Sequence, residues 1–152
     1  MEKVQLKPRN IIGIAIKTTN ENQQSEKDIA QLWKRFWQEN IASGISNKMN
    51  EDIYCVYTEY EGDFTKPYTT IIGYEVSNLD EIPEMMKGIT IEGGNYMQLT
   101  VKGNPEEGIV VQGWSQIWQS NLQRTYQADF EVYSARTDNQ DNMEIDIFVS
   151  VE

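Results

Sequence analysis

Gly94-Asn95-Tyr96-Met97-Gln98-Leu99-Thr100-Val101-Lys102-Gly103 runs directly into Asn104-Pro105-Glu106-Glu107, and this junction decides the fold. The first segment leaves the Gly93-Gly94 turn and reads as a strand over 95–102. The second is a helix start. It has an Asn cap, Pro at the first helical position and two acids at the positive end of the helix dipole. Val111, Trp114, Trp118 and Leu122 then recur at helical spacing, which predicts a helix packed on the sheet along that stripe. Strands over 129–134 and 143–151 complete a β-α-β-β unit.

The same order occurs upstream. Ile11, Ile12, Ile14 and Ile16 predict a strand over 10–17. Ser25 and Asp28 have the S-x-x-D spacing of a helix start. Ile29, Leu32, Trp33, Phe36, Trp37 and Ile41 form one wide apolar helix face, with Gly44 just past its end. Strands are expected over 53–58 and 69–76, and the polar stretch 77–88, with Pro83, reads as a linker. Ile14-Ala15-Ile16-Lys17 lies 85 residues before Leu99-Thr100-Val101-Lys102, and Leu32-Trp33 lies 85 before Ile117-Trp118. Val56-Tyr57 matches Val132-Tyr133 at 76. The expectation is a single α+β domain over 1–152. It would be built of duplicated βαββ units, about 10–76 and 94–151, with six main strands and two long helices. A pseudo-two-fold axis would leave a central ligand groove between the units.

Composition narrows the function. Against 24 Asp and Glu stand 13 Lys and Arg, a formal net charge of −11 in 152 residues. That average field repels a phosphate backbone and favours cations or a basic protein surface, so no nucleic-acid partner is expected. There is no His and one Cys, Cys55. Neither a Ser-His-Asp or Cys-His catalytic group nor a Cys/His zinc site can be assembled, and no metal or cofactor is expected. A single Cys suits the reducing cytoplasm. No apolar run approaches the ~18 residues of a spanning helix, so no membrane partner is expected.

Glu131 is the leading candidate for chemistry. In Asp129-Phe130-Glu131-Val132-Tyr133, alternation puts Glu131 and Tyr133 on one face, opposite Phe130 and Val132. The repeat spacing places Cys55 opposite Glu131 and Tyr57 in the position of Tyr133. A solvent-facing strand Glu is the ordinary alternative. The sharper reading is a carboxylate on the floor of an aromatic cleft, where rings add cation–π attraction of roughly 0.5–2 kcal/mol each. Tyr57, Tyr96, Trp118 and Tyr133 are the expected aromatic wall, with Trp37 and Tyr74 as additions. Trp33 is expected in the core. Cys55 has no His to activate it and is expected to be inert.

The order of Gly94-Asn95-Tyr96-Met97-Gln98-Leu99-Thr100-Val101-Lys102-Gly103, Ala128-Asp129-Phe130-Glu131-Val132-Tyr133 and Met143-Glu144-Ile145-Asp146-Ile147-Phe148-Val149 resembles the GyrI-like family of small-molecule-binding domains. These are also the effector-binding domains of AraC-type and MerR-type multidrug activators. The resemblance implies a duplicated βαββ fold and a groove whose strand Glu, here Glu131, meets cationic aromatic drugs. Asn121-Leu122-Gln123 replaces the common Trp-Leu-Pro, and Ser150 stands where Pro is common. With ten residues before Ile11, no helix-turn-helix is expected and a stand-alone or integron-cassette member is the expectation. It would act as a cytoplasmic binder, a ligand sensor or a drug-sequestering module. Two alternatives remain. One is a small-molecule hydrolase using Glu131 and a Tyr hydroxyl, since some stand-alone members hydrolyse electrophiles. The other is an interaction module for gyrase or a transcription regulator.

Overall fold

The computed structural model describes residues 1–135 and 142–152. In chain order the main elements are β1 (Glu2–Leu6), β2 (Arg9–Thr18), α1 (Gln24–Gln38), β3 (Lys48–Thr58), β4 (Tyr68–Val76), β5 (Lys87–Ile91), β6 (Gly94–Gly103), α2 (Ile109–Gln119), β7 (Arg124–Tyr133) and β8 (Met143–Val151). All eight strands form one antiparallel sheet in the order β1-β6-β8-β7-β3-β4-β2-β5. The α+β class holds. The expected six strands become eight among the described residues, because β1 and β5, which takes in only the last two residues of the expected 77–88 linker, pair at the two edges.

Connectivity forces this sheet to curl. Only Lys7 and Pro8 join β1 to β2, which are six strand positions apart, and only Glu92 and Gly93 join β5 to β6. In a flat sheet those six steps would span ~29 Å. Three Cα steps reach at most ~11 Å. The two ends therefore meet, and the inner face holds one core drawn from the whole sheet, including Tyr54, Val56, Tyr96, Phe130 and Phe148, with Val4 and Leu6 of β1 and Ile89 and Ile91 of β5. Arg9 covers the aromatic part of this core, its guanidinium carbon 5.8–6.0 Å from the Tyr54, Phe130 and Phe148 ring centroids. Where β2 and β4 cross, Gly13 pairs with Gly73, and a Cβ on Gly13 would lie 2.1 Å from the Ile72 carbonyl oxygen.

Both helices lie on the outer face. Leu32 and Phe36 of α1 pack over Ile12, Ile14, Ile72 and Tyr74. Ile117 of α2 packs over Leu99, Ile147 and Val149. Gly113 lets α2 settle onto β8, since a Cβ there would meet Ile147 Cδ1 at 2.8 Å. The α2 face differs from the expected stripe. Gly113 and Ile117 are buried, while Val111 and Trp118 are 65% and 63% exposed. The α1 start differs too. Gln23 in the left-handed region precedes the helix without a side-chain cap, and Asp28 instead accepts from Thr18 and Gln24. The helix ends at Gln38, and Ile41–Gly44 forms a separate 3-10 turn. Asn104 does cap as expected, accepting from the Glu106 amide. It caps a 3-10 turn, and α2 begins only after Gly108. Each helix covers its own half of the sheet, so the central pair β3 and β7 carries a groove between them.

Candidate functional site

The central pair sets the site. Cys55 faces Glu131 across the β3–β7 ladder, with Ile53 opposite Tyr133 and Tyr57 opposite Asp129. Side chains two apart share a face, so Cys55, Tyr57, Glu131 and Tyr133 all project into the space between α1 and α2. Glu131 is 2% exposed. The Tyr133 hydroxyl donates to its Oε1 at 2.5 Å. Its Oε2 accepts from the Tyr57 hydroxyl at 2.8 Å and from the Trp114 indole N–H at 2.7 Å. Glu131 forms no ion pair with any described residue.

Burial pushes the Glu131 carboxyl above its ordinary range, and the bonds from Tyr133, Trp114 and Tyr57 pull it part of the way back. Burial, reinforced by the neighbouring Glu131, holds the Tyr57, Tyr133 and Cys55 protons well above their ordinary values. The phenols therefore stay protonated donors. Cys55, fully buried and within 3.5 Å of the Tyr57 hydroxyl, stays a thiol. Acidic and phenolic groups have been gathered here with no cation among the described residues to balance them.

Two lobes open on either side of this network. One, of about 180 Å³, lies against Tyr57, Tyr60, Tyr68, Trp114, Trp118 and Arg124. The other, of about 540 Å³, lies against Trp33, Trp37, Ile53, Val110, Tyr133 and Met143. Aromatic rings meet edge to face within each: Tyr57 with Trp114 at 5.7 Å, and Trp33 with Tyr133 at 5.1 Å. Glu131 itself lines neither lobe and lies beneath the phenols and the indole that bind it. At the far end of the smaller lobe β7 bulges between Arg124 and Asp129, and Tyr126 takes φ +56°. For a bulky residue that conformation costs about 1–3 kcal/mol. It folds Arg124 back onto the fully buried Asp129 at 2.7 Å.

Of the residues expected at the site, Glu131, Tyr133, Tyr57 and Cys55 are brought together, and Trp118 and Trp37 stand at the rims of the two lobes, each 63% exposed. Two are placed elsewhere. Tyr96 lies on the inner face, edge-on to Phe130, and its hydroxyl donates to the Glu92 carbonyl at 2.7 Å. Leu99 and Val101 face α2, so the opposite parity of Tyr96 was the available signal. Tyr74 is on the outer face but covered by Phe36, with the Lys48 ammonium 4.9 Å from its ring centroid. Trp33 packs against the outer-face core as expected and also lines the larger lobe, and Trp114, which holds Glu131, packs on the α2 core and lines the smaller one. Tyr60, Tyr68 and Arg124 also went unread. Among the described residues no cluster of acidic or Cys side chains could hold a metal ion, and no helix is long and apolar enough to cross a membrane.

An outer-face groove walled by rings, with a carboxylate beneath them that pairs with no described cation, has the form of an effector-binding domain, a class built to hold small molecules. Within that class the chain belongs to the integron-associated effector binding proteins, the Cass2 family, whose model matches residues 3–151. This agrees with the GyrI-like resemblance. Over 148 residues the chain is 24% identical to YobU of Bacillus subtilis (strain 168), named as a candidate transcriptional regulator, covering 95% of this chain and 92% of YobU. It superposes on the Vibrio cholerae integron cassette protein VCH_CASS2 with a TM-score of 0.79 at 22% identity, over 99% of this chain and 95% of that one. The protein SAV2435, solved bound to tetraphenylphosphonium, gives 0.74 at 20% identity, over 99% and 93%.

Proposed function

We propose that this protein binds hydrophobic, cationic, drug-like small molecules in the groove between α1 and α2. The observation that carries this reading is Glu131. It is a carboxylate 2% exposed, held by three donors and paired with no cation among the described residues. Burying an uncompensated charge destabilises a fold, so a ligand cation is the natural partner for it. Tyr57 and Tyr133 spend their protons on Glu131 and turn their rings to the lobes, which leaves electron-rich faces for the cation. The −11 net charge raises the local concentration of such cations. The tetraphenylphosphonium bound by SAV2435 is a ligand of this class.

The chain is a single domain of two βαββ units, about 10–76 and 94–151. Cys55 pairing with Glu131, and Tyr57 and Tyr133 bonding to the two oxygens of one carboxylate, support a pseudo-two-fold axis through that pair. We place the protein in the cytoplasm as a stand-alone sensor or sequestering module. Calorimetric titration with tetraphenylphosphonium near neutral pH tests the reading. Micromolar binding that weakens with salt is expected, and no binding at millimolar ligand would overturn it.

A further inference from the structure

The smaller lobe carries a second polar group that the cation reading does not use. Arg124 reaches the lobe from the first residue of β7, turned inward by the bulge that ends at Asp129. Its Nη2 donates to Asp129 Oδ2 at 2.7 Å, and its guanidinium carbon lies 4.5 Å from the Tyr126 ring centroid, so the group is clamped on an edge and on a face. The Nε–H is buried with no acceptor among the described residues. A guanidinium offers five N–H donors in a planar fork, and Asp129 takes one of them. Asn20, Tyr60 and Tyr68 of the same lobe are committed elsewhere. Asn20 bonds the Phe64 carbonyl and the Tyr68 hydroxyl, and the Tyr60 hydroxyl donates to Asp129.

We propose that this end of the lobe is an acceptor subsite, in which Arg124 donates to a carbonyl oxygen of the ligand. The inference rests on the cation-binding reading and narrows its ligand class to hydrophobic cations that carry a neutral hydrogen-bond acceptor. Asp129 and Glu131 are alternate residues of one strand, ~7 Å apart along it, so cation and acceptor need a separation of that order. Asp129 already balances the Arg124 charge, so a carboxylate gains nothing over a carbonyl there and is repelled by Glu131.

Three matched phosphonium cations test this by calorimetric titration of the full chain. They are butyltriphenylphosphonium, an analogue ending in a methyl ester, and one ending in a carboxylate. The ester should bind about three- to tenfold more tightly than the plain alkyl cation, the yield of one added hydrogen bond, with the carboxylate no tighter than the ester. Arg124→Lys keeps a cation for Asp129 but removes the fork, and should bring the ester-to-alkyl ratio to within about twofold. If that variant does not fold, Arg124→Gln combined with Asp129→Asn removes both buried charges and must show the same loss. Equal binding of ester and alkyl cations by the unaltered protein overturns the subsite and leaves the cation reading standing. An ester advantage that survives in a folded variant overturns the assignment to Arg124. No binding by any of the three overturns the cation reading and the subsite with it.

Discussion

Replacing Glu131 by Gln removes one charge and little else. Gln can keep its oxygen at the Oε2 position, accepting from Tyr57 and Trp114, and turn its amide N–H to the Tyr133 hydroxyl. The cost to a bound cation follows from geometry. Glu131 lies behind the phenols, 2.8 Å from the Tyr57 oxygen, and a cation against that phenol adds a further contact distance, giving ~6 Å in all. At an effective dielectric constant near 20, two unit charges ~6 Å apart attract by about 2–3 kcal/mol. Glu131→Gln should therefore weaken a hydrophobic cation by about 30- to 150-fold. A neutral aromatic ligand of the same size should change by no more than about twofold. Stability should move the other way. A carboxyl whose folded-state pKa is raised contributes stability that is full below its unfolded pKa and is lost as pH rises through the folded one. Above the raised Glu131 value that contribution is gone, so there the Gln variant should melt at the same temperature or higher. Paired calorimetric titrations, one cation and one neutral ligand, with thermal melts across a pH series, decide the matter. Cation affinity unchanged in a folded variant would refute the reasoning and return Glu131 to a structural role.

Three further outcomes follow from the same contacts. Cation affinity of the unaltered protein should fall as pH drops through the raised Glu131 value, with one proton taken up, while Glu131→Gln should show a flat profile in a pH series of titrations. Trp114→Phe keeps an aromatic ring but removes a donor to a buried carboxylate. Urea denaturation should show a loss of about 1.5–3 kcal/mol, and the Glu131 carboxyl should titrate still higher by NMR. Gly13→Ala drives a Cβ into the Ile72 carbonyl at 2.1 Å, and should cost about 3 kcal/mol or more in the same denaturation assay, with the groove residues untouched.

The parts of the fold that were legible in the sequence are those where hydrophobic period and burial coincide. Ile11–Ile16, the Leu32–Phe36 face and Phe130–Val132 each read correctly, because their apolar residues do face a core. Alternation put Glu131 and Tyr133 on one face, the repeat spacing added Cys55 and Tyr57, and the GyrI-like resemblance pointed Glu131 to the groove. The α2 face was misread because its closest approach to the sheet is made by Gly113, which has no side chain to register as hydrophobic. The apolar residues Val111 and Trp118 lie beside that approach and stay exposed at the groove, so their stripe pointed to the site and not to the core. Strands β1 and β5 are short, mixed in polarity and paired on one side only, which leaves no period to detect. The Arg124 clamp depends on a bulge and a left-handed Tyr126, neither of which has a sequence signal.

Charge selection in the groove is the central claim, and two ions of nearly identical shape test it most directly. Tetraphenylphosphonium and tetraphenylborate present the same four rings around opposite charges. Titrated against the tryptophan fluorescence of Trp33, Trp37, Trp114 and Trp118 above the Glu131 pKa, the cation should bind at least about tenfold more tightly, as a single buried anion requires. The preference should shrink in Glu131→Gln. Equal or tighter binding of the borate by the unaltered protein would contradict the account.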